Sequence, residues 1–338
     1  MRRRPFEVHL ENFTAKPPIF HLTPGLIAAL RARQPDADAQ ARFTHGEDLV
    51  GLAERLRETE ILVTSTDVLR HPAFPKRDLA AAAPRLRLIH LIGAGIEGAM
   101  PLDWLPPGAA LTNNSGVHAA KIGEFFLMAL VALNTRLPAM VTNQRAARWD
   151  AIFTPRIAGR RVAVIGLGDI GGAAVRAARI LGMAVTGIRR SGGAVRGVDR
   201  IHPPAEIAAA VADADIVVVA TPLTPETRGL VSDAVMRGMK PGVGIVNVGR
   251  AAVMDYPALV RHLESGHVGG AILDVFDPEP LPADSPLWSA PNLIISPHVS
   301  SDDLDAYMHD TMDLVWRNIR RMHAGRPLLN RVDPARQY

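Results

Sequence analysis

Val162-Ala163-Val164-Ile165-Gly166-Leu167-Gly168-Asp169-Ile170-Gly171 is the stretch on which the reading of this chain turns. Four apolar strand formers lead straight into a glycine pattern, and residues 173–181 continue with helical spacing. A strand, a tight turn and a helix in that order put amide donors and the positive end of a helix beside the turn, which suits a phosphate. Each glycine has its own task. Gly166 permits the turn, Gly168 lets a pyrophosphate approach the backbone, and Gly171 lets helix and strand pack closely. With Asp169 and Ile170 between them, these residues are the candidate pyrophosphate site of a dinucleotide-binding fold.

Working outward, apolar runs at 162–165, 184–188, 216–220, 244–248, 271–275 and 293–295 are separated by helical stretches. Six strands in that pattern predict a doubly wound parallel sheet. Before it, residues 8–10, 26–33, 39–44, 49–57, 61–64 and 86–92 alternate strand-like and helix-like segments, which implies further parallel βα units. A chain of 338 residues exceeds the usual reach of a single core, so two domains are expected. A glycine turn at 93–98 ends the first series, and Pro101, Pro106, Pro107 and Gly108 mark a boundary. Residues 119–133 are apolar almost all round a helical wheel, which predicts burial within a domain or at a subunit interface. The helical stretch 304–322 follows the second series and could cross back to the first domain.

Apolar residues make up 48% of the chain, enough for buried cores. No apolar run reaches the length of a bilayer span, and the stretch 122–133 carries Glu124, so a soluble protein is expected. Arg2 to Arg4 are followed by Pro5, Glu7 and His9 instead of an apolar segment, so no secretion signal is read and the cytoplasm is the expected location. Cysteine is absent, which excludes disulfides, thiolate nucleophiles and thiolate metal sites. No His, Asp or Glu grouping has metal-ligand spacing. The net charge is only +4 and the arginines lack aromatic interleaving, so no nucleic-acid partner is expected.

The second half of a dinucleotide is read at the end of the strand after the glycine turn, where NAD binding calls for an acid. Here residues 184–188 run into Arg189-Arg190-Ser191. Two guanidiniums and a hydroxyl can hold a ribose 2′-phosphate that a carboxylate would repel, so NADP is favoured over NAD.

Three polar stretches stand directly behind apolar runs: Asn247-Val248-Gly249-Arg250, Asp277-Pro278-Glu279-Pro280 and Ser296-Pro297-His298. If those runs are parallel strands, Arg250, Glu279 and His298 all emerge at carboxyl ends, the edge where open α/β sheets bind ligands. An anion-binding guanidinium, a titratable imidazole and a carboxylate able to tune it are the parts of an acid–base site.

Residues 247–255, Leu273-Asp274-Val275-Phe276 with Glu279-Pro280-Leu281-Pro282, and residues 291–298 resemble the three signatures of the D-isomer-specific 2-hydroxyacid dehydrogenases, and the resemblance extends to 221–227 and the N-terminal glycine turn. It implies an α/β protein of two Rossmann-like domains. One is a doubly wound NAD(P)-binding domain over 111–298, the other a flavodoxin-like substrate-binding domain of 1–110 plus 299–338, with hinges near 109–113 and after His298. It implies that Arg250 holds and polarises a small 2-oxo acid, that His298 is the acid and base, and that Glu279 orients the imidazole and raises its pKa. Backbone N–H groups of Ala94 and Gly95 would take the substrate carboxylate. Thr221, Pro222, Thr227, Val248, Gly249, Asp274 and His298 would line the cofactor, Asp274 at its carboxamide. Glyoxylate and hydroxypyruvate are the expected substrates, in a cleft closed by Ile96, Met100 or Trp149, and a homodimer is the expected assembly. Trp149 would lie at the dimer interface or in the core.

Glu279 stands where formate-oxidising relatives carry glutamine, which favours hydroxy acids. Glu97 replaces a common aspartate, and Ser300-Ser301-Asp302-Asp303 replaces a small, glycine-containing run. His118 is read as a helix-start residue. The competing reading is a dehydrogenase-like nucleotide sensor with little turnover.

Overall fold

The computed structural model describes residues 4–333, which form two compact units: residues up to 117 together with those from 303, and residues 118–302. The first unit is built on five parallel strands, β1 (Phe6–Asn12), β2 (Ala41–Glu47), β3 (Ile61–Thr64), β4 (Leu88–Leu91) and β5 (Ala110–Thr112), in the order β2-β1-β3-β4-β5. That order is the flavodoxin-like one. Its inner strands β3 and β4 are buried along their whole length, as sheets covered on both faces require. The edge strand β2 alternates buried and exposed positions. The terminal helix Tyr307–His323 buries Met308, Met312, Val315, Trp316 and Ile319 in the core of this unit, with Leu10, Leu30 and Val63.

Two boundaries differ from the sequence reading. Residues 39–44 do not form one strand: a helical turn, Ala37–Gln40, comes first and β2 starts at Ala41. Residues 110–112, divided by sequence between two domains, form β5 and pair with β4, so the first unit runs on to Val117 and resumes at Asp303.

The second unit carries seven parallel strands: β6 (Arg161–Ile165), β7 (Ala184–Ile188), β8 (Arg200–His202), β9 (Ile216–Val219), β10 (Val243–Asn247), β11 (Val268–Leu273) and β12 (Leu293–Ile295). Their order is β12-β11-β10-β9-β6-β7-β8, so the winding reverses between β6 and β9. The sequence reading lacks β8, a three-residue edge strand of Arg, Ile and His with no apolar run to announce it. Successive residues of each strand feed opposite cores. Val162, Val164, Val218, Val246 and Ile272 meet the helices Lys121–Asn134 and Asp169–Ile180, while Ala163, Ile165, Val217, Ile245 and Leu273 face the other layer.

The segment Val117–Asn134 is long and apolar enough to cross a bilayer by length and composition, contrary to the sequence reading. Its apolar character is used within the unit, where Ile122, Phe126, Ala129, Leu130 and Leu133 are buried.

Candidate active site

The turn after β6 has the geometry its glycines imply. Gly166 holds φ at +91°, and a Cβ there would come within 2.7 Å of the Ala220 carbonyl oxygen. A Cβ on Gly171 would lie 1.8 Å from the Gly166 carbonyl oxygen, so only glycine allows this helix-to-strand contact. Gly168 has nothing within 4 Å of a built Cβ and opens the helix Asp169–Ile180 without any side-chain cap. Open space at an uncapped helix N-terminus fits a pyrophosphate. The turn lies at the carboxyl end of β6, next to the reversal between β6 and β9 where such sheets bind dinucleotides.

At the end of β7 the Arg189 Nε donates to Ser191 Oγ at 2.9 Å, so the arginine and the hydroxyl form one donor group. A cavity of about 570 Å³ opens there, lined by Arg189, Arg190, Gly192, Gly193, Val198 and Ile201 among others. Asp199 also borders it, but its carboxylate is engaged: hydrogen bonds from Arg179 and from the Val185 N–H hold its pKa below the ordinary range. After β9, Thr227 is taken up by its own loop, since its hydroxyl donates to Pro222 O at 2.8 Å and accepts from Thr224 N–H at 2.7 Å. Thr221 lies under Gly249, where a Cβ would meet the Thr221 carbonyl at 2.7 Å. The loops after β9 and β10 therefore approach through their backbones at this point.

The polar trio sits at the ends of β10, β11 and β12. Asn247, at the end of β10 and fully buried, accepts from Gly249 N–H at 3.0 Å and donates to Arg250 O at 3.3 Å. The Arg250 Nη1 donates to Gly249 O at 2.7 Å. Glu279 Oε1 accepts from the Phe276 N–H at 2.8 Å, and its Oε2 lies 2.8 Å from His298 Nδ1. A carboxylate accepts only, so Nδ1 carries the donated hydrogen and Nε2 is left for chemistry. That hydrogen bond raises the His298 pKa against the opposing effect of burial and of the Arg250 charge. Burial would raise the Glu279 pKa, but the bonds from His298 and Phe276 N–H, with the nearby charges of His298 and Arg250, bring it below its ordinary value.

Two residues matter more than the sequence suggests. Asp274, 1% exposed, accepts from Ser296 Oγ at 2.6 Å, from Val299 N–H at 3.1 Å, and from both the N–H and hydroxyl of Ser300. It ties the end of β11 to the segments on both sides of His298, and Ser300, an oddity in the sequence, completes the set. His118 lies in a 3-10 turn, Val117–Ala119, with Nδ1 3.3 Å from Ser301 O. Burial lowers its pKa, and the charges of His298 and Arg250 push the same way, which places it near both. Its sequence neighbours carry no signal of this.

Ala94 and Gly95 lie in the other unit, in the turn after β4. Ile96 is 3% exposed and belongs to that unit's core. Trp149 is 100% exposed and Phe153 93%, which removes core packing as the role of Trp149 within its own chain. Among the described residues, no group of three or more His, Asp or Glu is arranged to hold a metal ion.

Residues 127–300 match the family model described as "D-isomer specific 2-hydroxyacid dehydrogenase, NAD binding domain". The chain is 30% identical over 261 residues to a glyoxylate reductase of Korarchaeum cryptofilum, covering 74% of this chain and 76% of that protein. It is 30% identical over 258 residues to a hydroxyphenylpyruvate reductase of Plectranthus scutellarioides, covering 75% and 81%. A D-isomer specific 2-hydroxyacid dehydrogenase of Xanthobacter autotrophicus Py2, solved with NADPH and MES, superposes with a TM-score of 0.81 at 30% identity, over 99% of this chain and 100% of that one.

Proposed function

Since the chain belongs to the D-isomer-specific 2-hydroxyacid dehydrogenases, an NAD(P)-dependent family, we propose that it reduces a small 2-oxo acid to the D-2-hydroxy acid with NADPH. The observation that carries this reading is the Glu279–His298 pair, set with Arg250 at the carboxyl edge of a sheet whose glycine turn fits a pyrophosphate. A nicotinamide bound there would supply hydride to C2 of the substrate. Arg250 would fork to the carboxylate and 2-oxo oxygen, fixing orientation and drawing electron density from the carbonyl. His298 would donate its Nε2 proton to that oxygen, completing the hydroxyl, and in the oxidative direction take it back. Glu279 keeps the imidazole charged while reduction needs an acid. Ala94 and Gly95 N–H groups would bind the carboxylate.

The preference for NADPH rests on Arg189, Arg190 and Ser191 at the end of β7, where no carboxylate projects in their place. Glyoxylate and hydroxypyruvate are the substrates we favour, and the glyoxylate reductase relative supports the first. Steady-state oxidation of NADPH and NADH with a panel of 2-oxo acids tests all of this. The expected result is turnover with a small 2-oxo acid and a higher kcat/KM for NADPH. Tight cofactor binding without turnover on any acid would favour a nucleotide sensor instead, and a clear NADH preference would overturn the cofactor assignment.

We also propose a homodimer. Trp149 and Phe153 stand almost fully exposed, with Met128, Val131 and Met140 also partly exposed on the helices before them, an apolar surface that a second copy would cover.

A further inference from the structure

The turn after β4 is held from behind by an unusual set of donors. Three successive carbonyls, those of Ile92, Gly93 and Ala94, are each tied down. Ile92 O accepts from Asn114 Nδ2 at 2.7 Å and from the Tyr307 hydroxyl at 2.6 Å. Gly93 O accepts from the Asn114 backbone N–H at 3.0 Å, and Ala94 O from Asn113 Nδ2 at 2.8 Å. In a trans peptide the C=O of one residue and the N–H of the next point in opposite directions. Anchoring these carbonyls therefore turns the N–H groups of Gly93, Ala94 and Gly95 the other way. Successive amides presented together make a concave anion site.

The donors are themselves rigid. Asn114 is fully buried, spends its second amide hydrogen on Thr311 Oγ1 at 2.7 Å, and has its Oδ1 3.3 Å from His90 Nε2. His90 reaches Thr112 Oγ1 through Nδ1 at 2.9 Å, and Thr311 donates to Tyr307 O at 2.8 Å. Burial holds the His90 pKa down to about 4, against the Asn114 hydrogen bond, so the ring is neutral and the network keeps its pattern near neutral pH. Asn113 is oriented by the Ser115 N–H on its Oδ1 at 3.2 Å.

We propose that Asn113, Asn114 and Tyr307 are positioning residues for substrate binding: they clamp the carbonyl side of the turn so that its N–H groups are presented to the carboxylate of the 2-oxo acid. This rests on the reading above that the turn receives that carboxylate. A clamp of this kind acts on substrate affinity and leaves the hydride and proton steps alone.

The test uses the full-length enzyme with glyoxylate as probe. Tyr307→Phe removes the hydroxyl donor, and Asn113→Asp replaces an N–H donor with a carboxylate facing the Ala94 carbonyl. Each is expected to raise KM for glyoxylate roughly tenfold, the scale of one charge-assisted hydrogen bond, with kcat and the NADPH Kd within about twofold. Unchanged KM in both variants overturns the clamp, as does a parallel loss of kcat and cofactor affinity, which would mark a general structural role. Ala94→Pro tests the underlying reading by deleting one turn N–H, and incorporation of lactic acid at position 94 deletes the same group if that variant fails to fold. KM unchanged on deletion overturns carboxylate binding at the turn. KM raised on deletion but not by Tyr307→Phe or Asn113→Asp overturns the clamp alone.

Discussion

Replacing Glu279 by glutamine keeps the shape of the side chain but removes its charge from His298. The two groups meet at 2.8 Å, with side-chain exposures of 45% for His298 and 36% for Glu279. At that distance a unit charge pair is worth about 1.5 kcal/mol in bulk water and about 6 kcal/mol at an effective dielectric of 20. Exposure on this scale, and the screening that accompanies it, keeps the coupling near the lower figure, about 1.5 to 2 kcal/mol. That corresponds to roughly a 10- to 30-fold change in the ratio of charged to neutral imidazole at a given pH. The direction follows from the raised pKa of His298. In reduction the charged ring is the acid, so activity is full below its pKa and falls as pH rises through it. Without the Glu279 charge that fall begins at lower pH. In oxidation the neutral ring is the base, so the rise of activity also moves to lower pH. The assay is kcat/KM against pH in both directions, for Glu279→Gln and the parent enzyme. Superimposable profiles, or a shift to higher pH, would refute the assignment of His298 as the proton donor tuned by Glu279.

Removing both guanidiniums in Arg189→Ala/Arg190→Ala is expected to raise KM for NADPH by roughly 10- to 100-fold and leave NADH little changed, as measured by initial rates; equal effects on the two cofactors would remove these residues from 2′-phosphate binding. Gly171→Ala drives a methyl group to 1.8 Å from a backbone oxygen, so thermal unfolding should show a lowered Tm and fluorescence titration a loss of NADPH binding. Asp274→Asn sets an amide against donors that all point at a carboxylate, with an expected loss of about 2 to 4 kcal/mol in urea unfolding and a drop in kcat as His298 loses its fixed place. If the proposed dimer forms through this surface, light scattering should find the parent protein at twice the monomer mass and Trp149→Ser/Phe153→Ser at the monomer mass; an equal mass for both would overturn that interface.

The parts of this fold that sequence shows most clearly are those written as local pattern. The strand at 161–165 and its glycine turn carry their geometry in residue identity, because no side chain fits at 166 or 171. The central strands read as continuous apolar runs because both faces are covered. β8 escapes because three residues of mixed polarity at an edge need no run. The fate of residues 110–112 escapes because Ala-Leu-Thr suits either sheet, and pairing with β4 decides it. Arg250, Glu279 and His298 are legible through position behind strands, whereas Asp274 is singled out only by the family resemblance, as a cofactor ligand. Its work is set by four donors from residues 296–300, a relation across sequence that no spacing rule encodes. His118 is obscured for the same reason, since its setting depends on Ser301 and on charges from distant loops.

His298 holds φ at +56°, in the left-handed region that asparagine and glycine adopt with least strain. The imidazole proposed as proton donor is therefore carried by a backbone conformation that stability alone would assign to another residue. His298→Gly would relieve strain worth about 1 kcal/mol, which offsets much of the coupling of about 1.5 to 2 kcal/mol to Glu279 that it gives up. An evolutionary search that rewards only heat resistance would thus do little to keep the proposed proton donor. A library made from this chain needs selection for turnover at every round, because here robustness and chemistry compete for one residue.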